Sequence, residues 1–163
     1  MPVGAYGGRK DIMELVSPCG PVYQAGTLSG NPVAMAAGFA QLEALEEGVY
    51  RHIDQMGAVL AGGLSEMVRR LGLKACVNQI GSLVCLFFGV ETAEDYQSVR
   101  KADTEHYARY FRKMLSLGVY LAPSQFEAMF VSYAHTEKDI NETLCKAEQA
   151  LGTCHTRSSS GGY

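Results

Sequence analysis

The sequence predicts an α+β fold. From residue 49 to 71, apolar side chains recur at steps of three and four, the spacing of one helix face. Two short runs follow, "KACVN" and "SLVCLFFGV", rich in the Val, Cys, Leu and Phe that suit strands. A last amphipathic helix, with Ile140, Leu144, Ala147 and Leu151 on one face, closes the pattern. Strands and helices come in runs rather than in strict alternation, which favours α+β over a parallel α/β sheet.

Taken in order, the opening "MPVGAYGG" is apolar and Gly-flanked and reads as a buried strand, with a short helix expected over Arg9 to Val16. A leading strand needs partners, so the first 48 residues read as the edge of something larger. "SPCGPVYQAGTLSGNP" is dense in Gly, Pro and Ser and reads as a loop. Asn31 is a good N-cap and Pro32 suits the first helical position. That helix is expected to reach Glu46 or Glu47, with Gly48 as its stop. The next runs from Val49 to Leu71 with Ile53, Met56, Leu60, Leu64, Met67 and Leu71 on its face. Gly57, Gly62 and Gly63 weaken its propensity, so packing must hold it.

After the two strands, "ETAEDYQSVRKADTEHY" begins polar and becomes helical. Tyr107, Tyr110, Phe111, Met114 and Leu115 form a stripe that Gly118 ends. "VYLA" and "AMFVSYA" read as further short strands. Thr136 and Asp139 have capping-box spacing. Residues 49–152 therefore form a small α+β domain, and residues 153–163 read as a disordered tail or an appended sequence.

Composition narrows the function classes. The chain has 163 residues, 47% hydrophobic and 19% charged, enough for one domain with a core. A net charge of −3 offers no basic stripe for nucleic acid. No apolar run reaches the roughly 18 to 20 residues of a membrane span, and "MPVGAYGGRK" lacks signal-peptide order. The cysteines Cys19, Cys76, Cys85, Cys145 and Cys154 are odd in number and form no C-x-x-C pair. They read as reduced thiols of a cytosolic protein, several of them buried, with no metal site.

Two stretches carry candidate chemistry. In "YQAGTLSGNPVAMAAG", residues 23 to 38, small residues lead into a helix start. The helix N-terminus carries partial positive charge and unpaired N–H groups, and Thr27 and Ser29 add hydroxyls, so a phosphate is a sensible ligand. An ordinary loop–helix junction reads the same way. The glycine spacing fits neither a Walker loop nor a dinucleotide fingerprint. In "APSQFEAMF", Glu127 has apolar neighbours; burial there suits a general acid or base, and a solvated turn carboxylate is the alternative. His135, just before Thr136, reads as a turn or packing residue, and His52, His106 and His155 have no partners by spacing.

"MPVGAYGGRKDIMELVSPCGPVYQAGTLSGNPVAMAAG" and "GVYLAPSQFEAMFVSYAHTEKDI" together resemble the C-terminal part of the glutamate-1-semialdehyde 2,1-aminomutase family, within the fold-type I, class III aminotransferases. The resemblance covers residues 1–151, and "GTLSGNP" with "PSQFEA" separates this family from its transaminase cousins. It implies pyridoxal 5′-phosphate, or its pyridoxamine form, as cofactor, glutamate-1-semialdehyde as substrate and 5-aminolevulinate as product, on the way to tetrapyrroles. It implies a homodimer in the cytoplasm, or in the plastid stroma of a plant or alga. Residues 1–48 then correspond to the edge of the large α/β cofactor domain and 49–152 to the small C-terminal domain.

By the same resemblance, Thr27 reaches the cofactor phosphate of the other subunit, with the Gly26 backbone beside it and Tyr23 near the same site. Glu127 is the active-site carboxylate, catalytic or substrate-orienting. Most of the family has Gly where Met129 stands, a departure that bears on the posture of Glu127. The family's Schiff-base lysine lies a few residues before the stretch matching Met1–Pro2, and Lys10 in "GGRKDIM" is no substitute. The chain alone is therefore expected not to catalyse or to hold the cofactor stably. Another class III aminotransferase and a non-catalytic assembly module are the alternatives. "PSQFEA" speaks against the first, and a folded chain without cofactor absorbance would favour the second.

Overall fold

The computed structural model describes residues 3–155, with side-chain surroundings described through residue 152. The chain divides between Glu47 and Gly48 into two compact units.

The first unit holds two helices, α1 (Lys10–Met13) and α2 (Pro32–Glu43), joined by loops. Residues 3–9 have no regular structure and are exposed, so the expected opening strand is absent. Among the described residues they find no strand partner, and an apolar run without a ladder stays irregular. Val3 instead lies against α2, where a Cβ added at Gly38 would meet Val3 Cγ1 at 2.9 Å. A parallel bridge between Val16 and Val22 closes the loop after α1. Among the described residues of this unit only Ala34 is buried. The helix α2 ends at Glu43, with Ala44 as C-cap, short of the expected end, and Gly48 stops nothing because the next helix has already begun.

The second unit is built on α3 (Glu47–Arg70), β1 (Ala75–Ile80), β2 (Leu83–Phe88), α4 (Tyr96–Val99), α5 (Thr104–Ser116), β3 (Met129–Phe130) and α6 (Glu137–His155). The strands form an antiparallel sheet in the order β1-β2-β3, with Ala75 opposite Phe88 and Val84 opposite Met129. Gly81, at φ +53°, occupies the first central position of the β1–β2 turn, where a left-handed residue keeps the strands in register.

The periodic face of α3 is the face it buries: Met56, Leu60, Leu64 and Met67 pack with β2's Val84, Leu86 and Phe88, α5's Tyr107, Tyr110 and Met114, and α6's Ile140, Ala147 and Leu151. Phe87 lies in a smaller cluster with Val90, Ala93 and Ala102, and the half-buried Cys76 and Cys85 pack there too. Two of the α3 glycines, Gly57 and Gly63, have a packing reason, whereas Gly62 has open space around it. A Cβ at Gly57 would sit 2.6 Å from the Gly81 carbonyl oxygen, and one at Gly63 would meet Leu144 at 2.6 Å.

Several expectations need correction. "VYLA" forms no strand, and only Met129–Phe130 of "AMFVSYA" pairs. The polar run before α5 contains a short helix, α4, whose N-cap Asp95 makes a reciprocal capping box with Ser98. Leu115 is exposed although it lies in the expected stripe. None of the four cysteines with described surroundings is fully buried: Cys19 and Cys145 are exposed, and all four are free thiols. Burial pushes the Cys76 and Cys85 thiols up. The helix α6 continues to His155, three residues into the expected tail; the remainder of that tail and the side chain of Cys154 lie outside the described residues.

Candidate functional site

The helix start after "GTLSGN" folds as its residue types dictate. Asn31 Oδ1 accepts hydrogen bonds from the Val33 and Ala34 amides, each at 3.1 Å, and the Met35 amide donates to the Asn31 carbonyl at 2.9 Å. Pro32 has no N–H to offer. The amides expected to be open to an anion are thus already capped, and this part of the phosphate reading is corrected. The remaining donors are on the turn before it.

That turn is closed by the Ser29 amide donating to the Gly26 carbonyl at 3.0 Å. A Cβ at Gly26 would meet Ser29 Oγ at 2.9 Å, so the tight fold needs glycine there. Thr27 sits at the exposed crest, its hydroxyl and amide unused by hydrogen bonds among the described residues. An open hollow of about 450 Å³ is lined by Val3, Gly4, Gly26, Thr27, Leu28, Ser29 and Met35. Gly26 and Thr27, neighbours in sequence, both line this hollow. Tyr23, 83% exposed, does not line this hollow. A hydroxyl, an amide and a glycine beside a hollow are a donor set that fits a phosphate arm.

In the second unit, Glu127 lies on a turn whose Ser124 accepts twice: Oγ from the Phe126 amide at 3.2 Å, the carbonyl from the Glu127 amide at 3.1 Å. The turn sends Gln125 inward and Phe126 and Glu127 outward. The expectation that apolar neighbours enclose Glu127 is not met; its carboxylate is exposed. The buried polar group is Gln125, which the sequence reading passed over, because only the turn's geometry reveals which of the three residues points in.

Tyr107 on α5 anchors the segment leading to this turn, its hydroxyl donating to the Ala122 carbonyl at 2.6 Å. Burial pushes the Tyr107 phenol up to about 12, with the nearby charges of Cys85 and Glu127 acting in the same direction. Met129, half-buried on β3, lines a cavity of about 290 Å³ together with Leu60, Leu121, Val131, His135 and Ile140.

His135 is a turn histidine, as expected: its Nδ1 accepts from the Ser132 amide at 3.0 Å. His52 and His106 do have partners that spacing hides, while the side chain of His155 lies outside the described residues. His52 Nε2 donates to the His135 carbonyl at 2.8 Å and its ring meets Tyr133 edge-on at 5.2 Å. His106 stacks on Phe88 at 4.2 Å. Thr136 and Asp139 form the expected reciprocal cap, which lowers the Asp139 carboxyl below its ordinary range. Lys10 is exposed and pairs with Glu14 at 3.5 Å. Among the described residues, no group of three or more His, Cys, Asp or Glu is placed to hold a metal ion, and no helix is long and apolar enough to cross a membrane.

The chain is similar to known proteins over most of its length. The family model for class-III aminotransferases matches residues 1–151. Glutamate-1-semialdehyde 2,1-aminomutase 2 of Lachnoclostridium phytofermentans is 54% identical over 153 residues, which is 93% of this chain and 36% of that protein. The glutamate-1-semialdehyde 2,1-aminomutase of Ruminiclostridium cellulolyticum is also 54% identical, over 93% of this chain and 35% of its own length. The chain thus spans about a third of the length of these relatives. Among solved structures, a transaminase with bound PLP superimposes on 94% of this chain and 35% of its own with a TM-score of 0.75 at 23% identity, a likeness of fold. A glutamate-1-semialdehyde aminomutase variant from Pseudomonas aeruginosa in complex with PMP covers 78% of this chain and 28% of its own, with a TM-score of 0.71 at 25% identity. The architecture is that of a piece of a fold-type I enzyme, and the chain belongs to the class-III aminotransferase family.

Proposed function

We propose that the chain is part of a glutamate-1-semialdehyde 2,1-aminomutase, a cytoplasmic homodimeric enzyme that makes 5-aminolevulinate for tetrapyrrole synthesis. The observation that carries this reading is the 54% identity to aminomutases over nearly the whole chain. Residues 1–48 serve as the edge of the large cofactor domain and residues 49–152 as the small domain.

In this reading the Thr27 hydroxyl and amide, with Gly26 beside them, hold the phosphate of pyridoxal 5′-phosphate bound to the other subunit, and Tyr23 lies near that site. When bound, the cofactor supplies the electron sink and carries the amino group during the exchange. The chain's own task is orientation. The Ser124-closed turn presents the Glu127 carboxylate, an acceptor that orients the substrate's amino group or takes a proton from it. Tyr107 keeps the approach to that turn in place through Ala122. The chain's lysines do not serve as the cofactor's amine, as the exposed Lys10, paired with Glu14, and the half-buried Lys146, paired with Glu142, illustrate, so these residues alone are inactive and bind the cofactor weakly.

The test uses the protein expressed from its complete coding sequence and follows 5-aminolevulinate formation from glutamate-1-semialdehyde. Thr27→Ala should weaken cofactor binding about tenfold or more, the loss of a hydrogen bond to a charged group. Glu127→Gln should lower kcat while leaving the cofactor's absorbance. The 163-residue chain by itself should show no cofactor band at equal concentration. A second reading, an aminotransferase moving amino groups between two substrates, is favoured by the transaminase fold likeness at a TM-score of 0.75. Net transfer to an added keto acid, without isomerisation of the semialdehyde, would establish it instead.

A further inference from the structure

Gln125 is the one buried polar side chain among the described residues, 3% exposed, and neither its Oε1 nor its Nε2 has a hydrogen-bond partner there. Folded proteins pair nearly all such groups, because a buried donor or acceptor left unpaired keeps its full desolvation cost. If Gln125 served only to anchor the turn by its shape, Leu or Met would do so without that cost. Polar atoms retained at a disadvantage in one state are the mark of a functional position.

The surroundings narrow the function. Both amide atoms are sealed from solvent, so no outside group reaches them unless the turn shifts. The turn is short and is held by the two Ser124 contacts at 3.1 and 3.2 Å. Two residues on, Glu127 exposes an anionic acceptor. A neutral amide donor and a carboxylate acceptor on one turn complement a ligand that carries both a carboxylate and an ammonium group.

We propose that Gln125 is a ligand-binding residue held in reserve: a shift of the 124–127 turn carries its amide outward, where Nε2–H donates to the carboxylate of an amino-carboxylate substrate whose amino group faces Glu127. This rests on the aminomutase reading for the identity of that substrate. It assigns Gln125 to substrate affinity, and it makes the resting turn less stable than an apolar residue would.

Two measurements test it. Thermal unfolding of the chain should show Gln125→Leu and Gln125→Met melting about 2–4 °C above the wild type, the shift expected from removing an unpaired buried group in a chain of this size. In the protein expressed from its complete coding sequence, the same variants should raise KM for glutamate-1-semialdehyde about tenfold or more with kcat within about threefold. Gln125→Glu, which sets a second anion beside Glu127, should raise KM further. A lower melting temperature for both apolar variants would mean that the resting amide is paired, and overturns the proposal; so does a higher one with KM unchanged. If the wild type turns over a different amino compound, the aminomutase reading fails alone, and the KM ratio for that compound decides the role of Gln125.

Discussion

The two units of the chain both carry amphipathic or apolar helices but are not held together in the same way. In the second, the apolar face of α3 meets β2, α5 and α6, and Leu64, Phe88, Met114 and Leu151 are at or near zero exposure. In the first, Phe39 is 64% and Leu42 70% exposed, and of the residues of α2 only Ala34 is buried. The difference teaches that helix formation and core formation are separable. The helix α2 is specified locally, by Asn31, Pro32 and a run of small residues, whereas α3 carries the interior glycines Gly57, Gly62 and Gly63 and depends on what packs against it.

The largest effect should come from removing a core ring. Phe88→Ala should cost about 3–5 kcal/mol in chemical denaturation, while Phe39→Ala should stay within about 0.5 kcal/mol. A cost at Phe39 comparable to that at Phe88 would break the comparison and show that a second copy covers α2. Next come the α3 glycines. Gly57→Ala forces a Cβ toward the Gly81 carbonyl and should destabilise by about 1–3 kcal/mol, whereas Gly62→Ala, with open space around it, should stabilise by about 0.5–1 kcal/mol.

A smaller effect, about 1 kcal/mol, is expected for Asn31→Ala, confined to α2 and visible as faster amide exchange at Val33 and Ala34. The smallest at neutral pH concerns Tyr107. Its folded value of about 12 lies above the ordinary 10, so the stabilisation is complete below pH 10 and is lost as pH rises through about 12. Tyr107→Phe should flatten that decline in pH-dependent unfolding while forfeiting the bond to Ala122. An unchanged alkaline slope would mean the phenol titrates alike in both states.

What could be read from the residues follows the same division. The α3 face, the two strands β1 and β2, the Asn31–Pro32 start and the Thr136–Asp139 cap all depend on neighbours within a few residues, and each stands in the structure. The opening strand and "VYLA" failed because a short apolar run becomes a strand only where a ladder is waiting for it. The outward Glu127, the inward Gln125 and the His52–His135 link, 83 residues apart, depend on how a turn is rotated or on two distant segments meeting, which no local spacing encodes. At the Thr27 turn the residue types were legible. The capping of the helix amides by Asn31 was legible too, had its side chain been counted as their acceptor.

One strand has a consequence for how the second unit breathes. Apolar clusters cover β2 on both faces, and at Leu83 and Val84 it is paired along both edges. Val84 belongs to the larger cluster and is fully buried, so exposing these amides means parting that cluster. They should be the last in the molecule to exchange with deuterium, and their protection should report the free energy of global unfolding, while β1, paired along one edge, opens earlier and at lower cost.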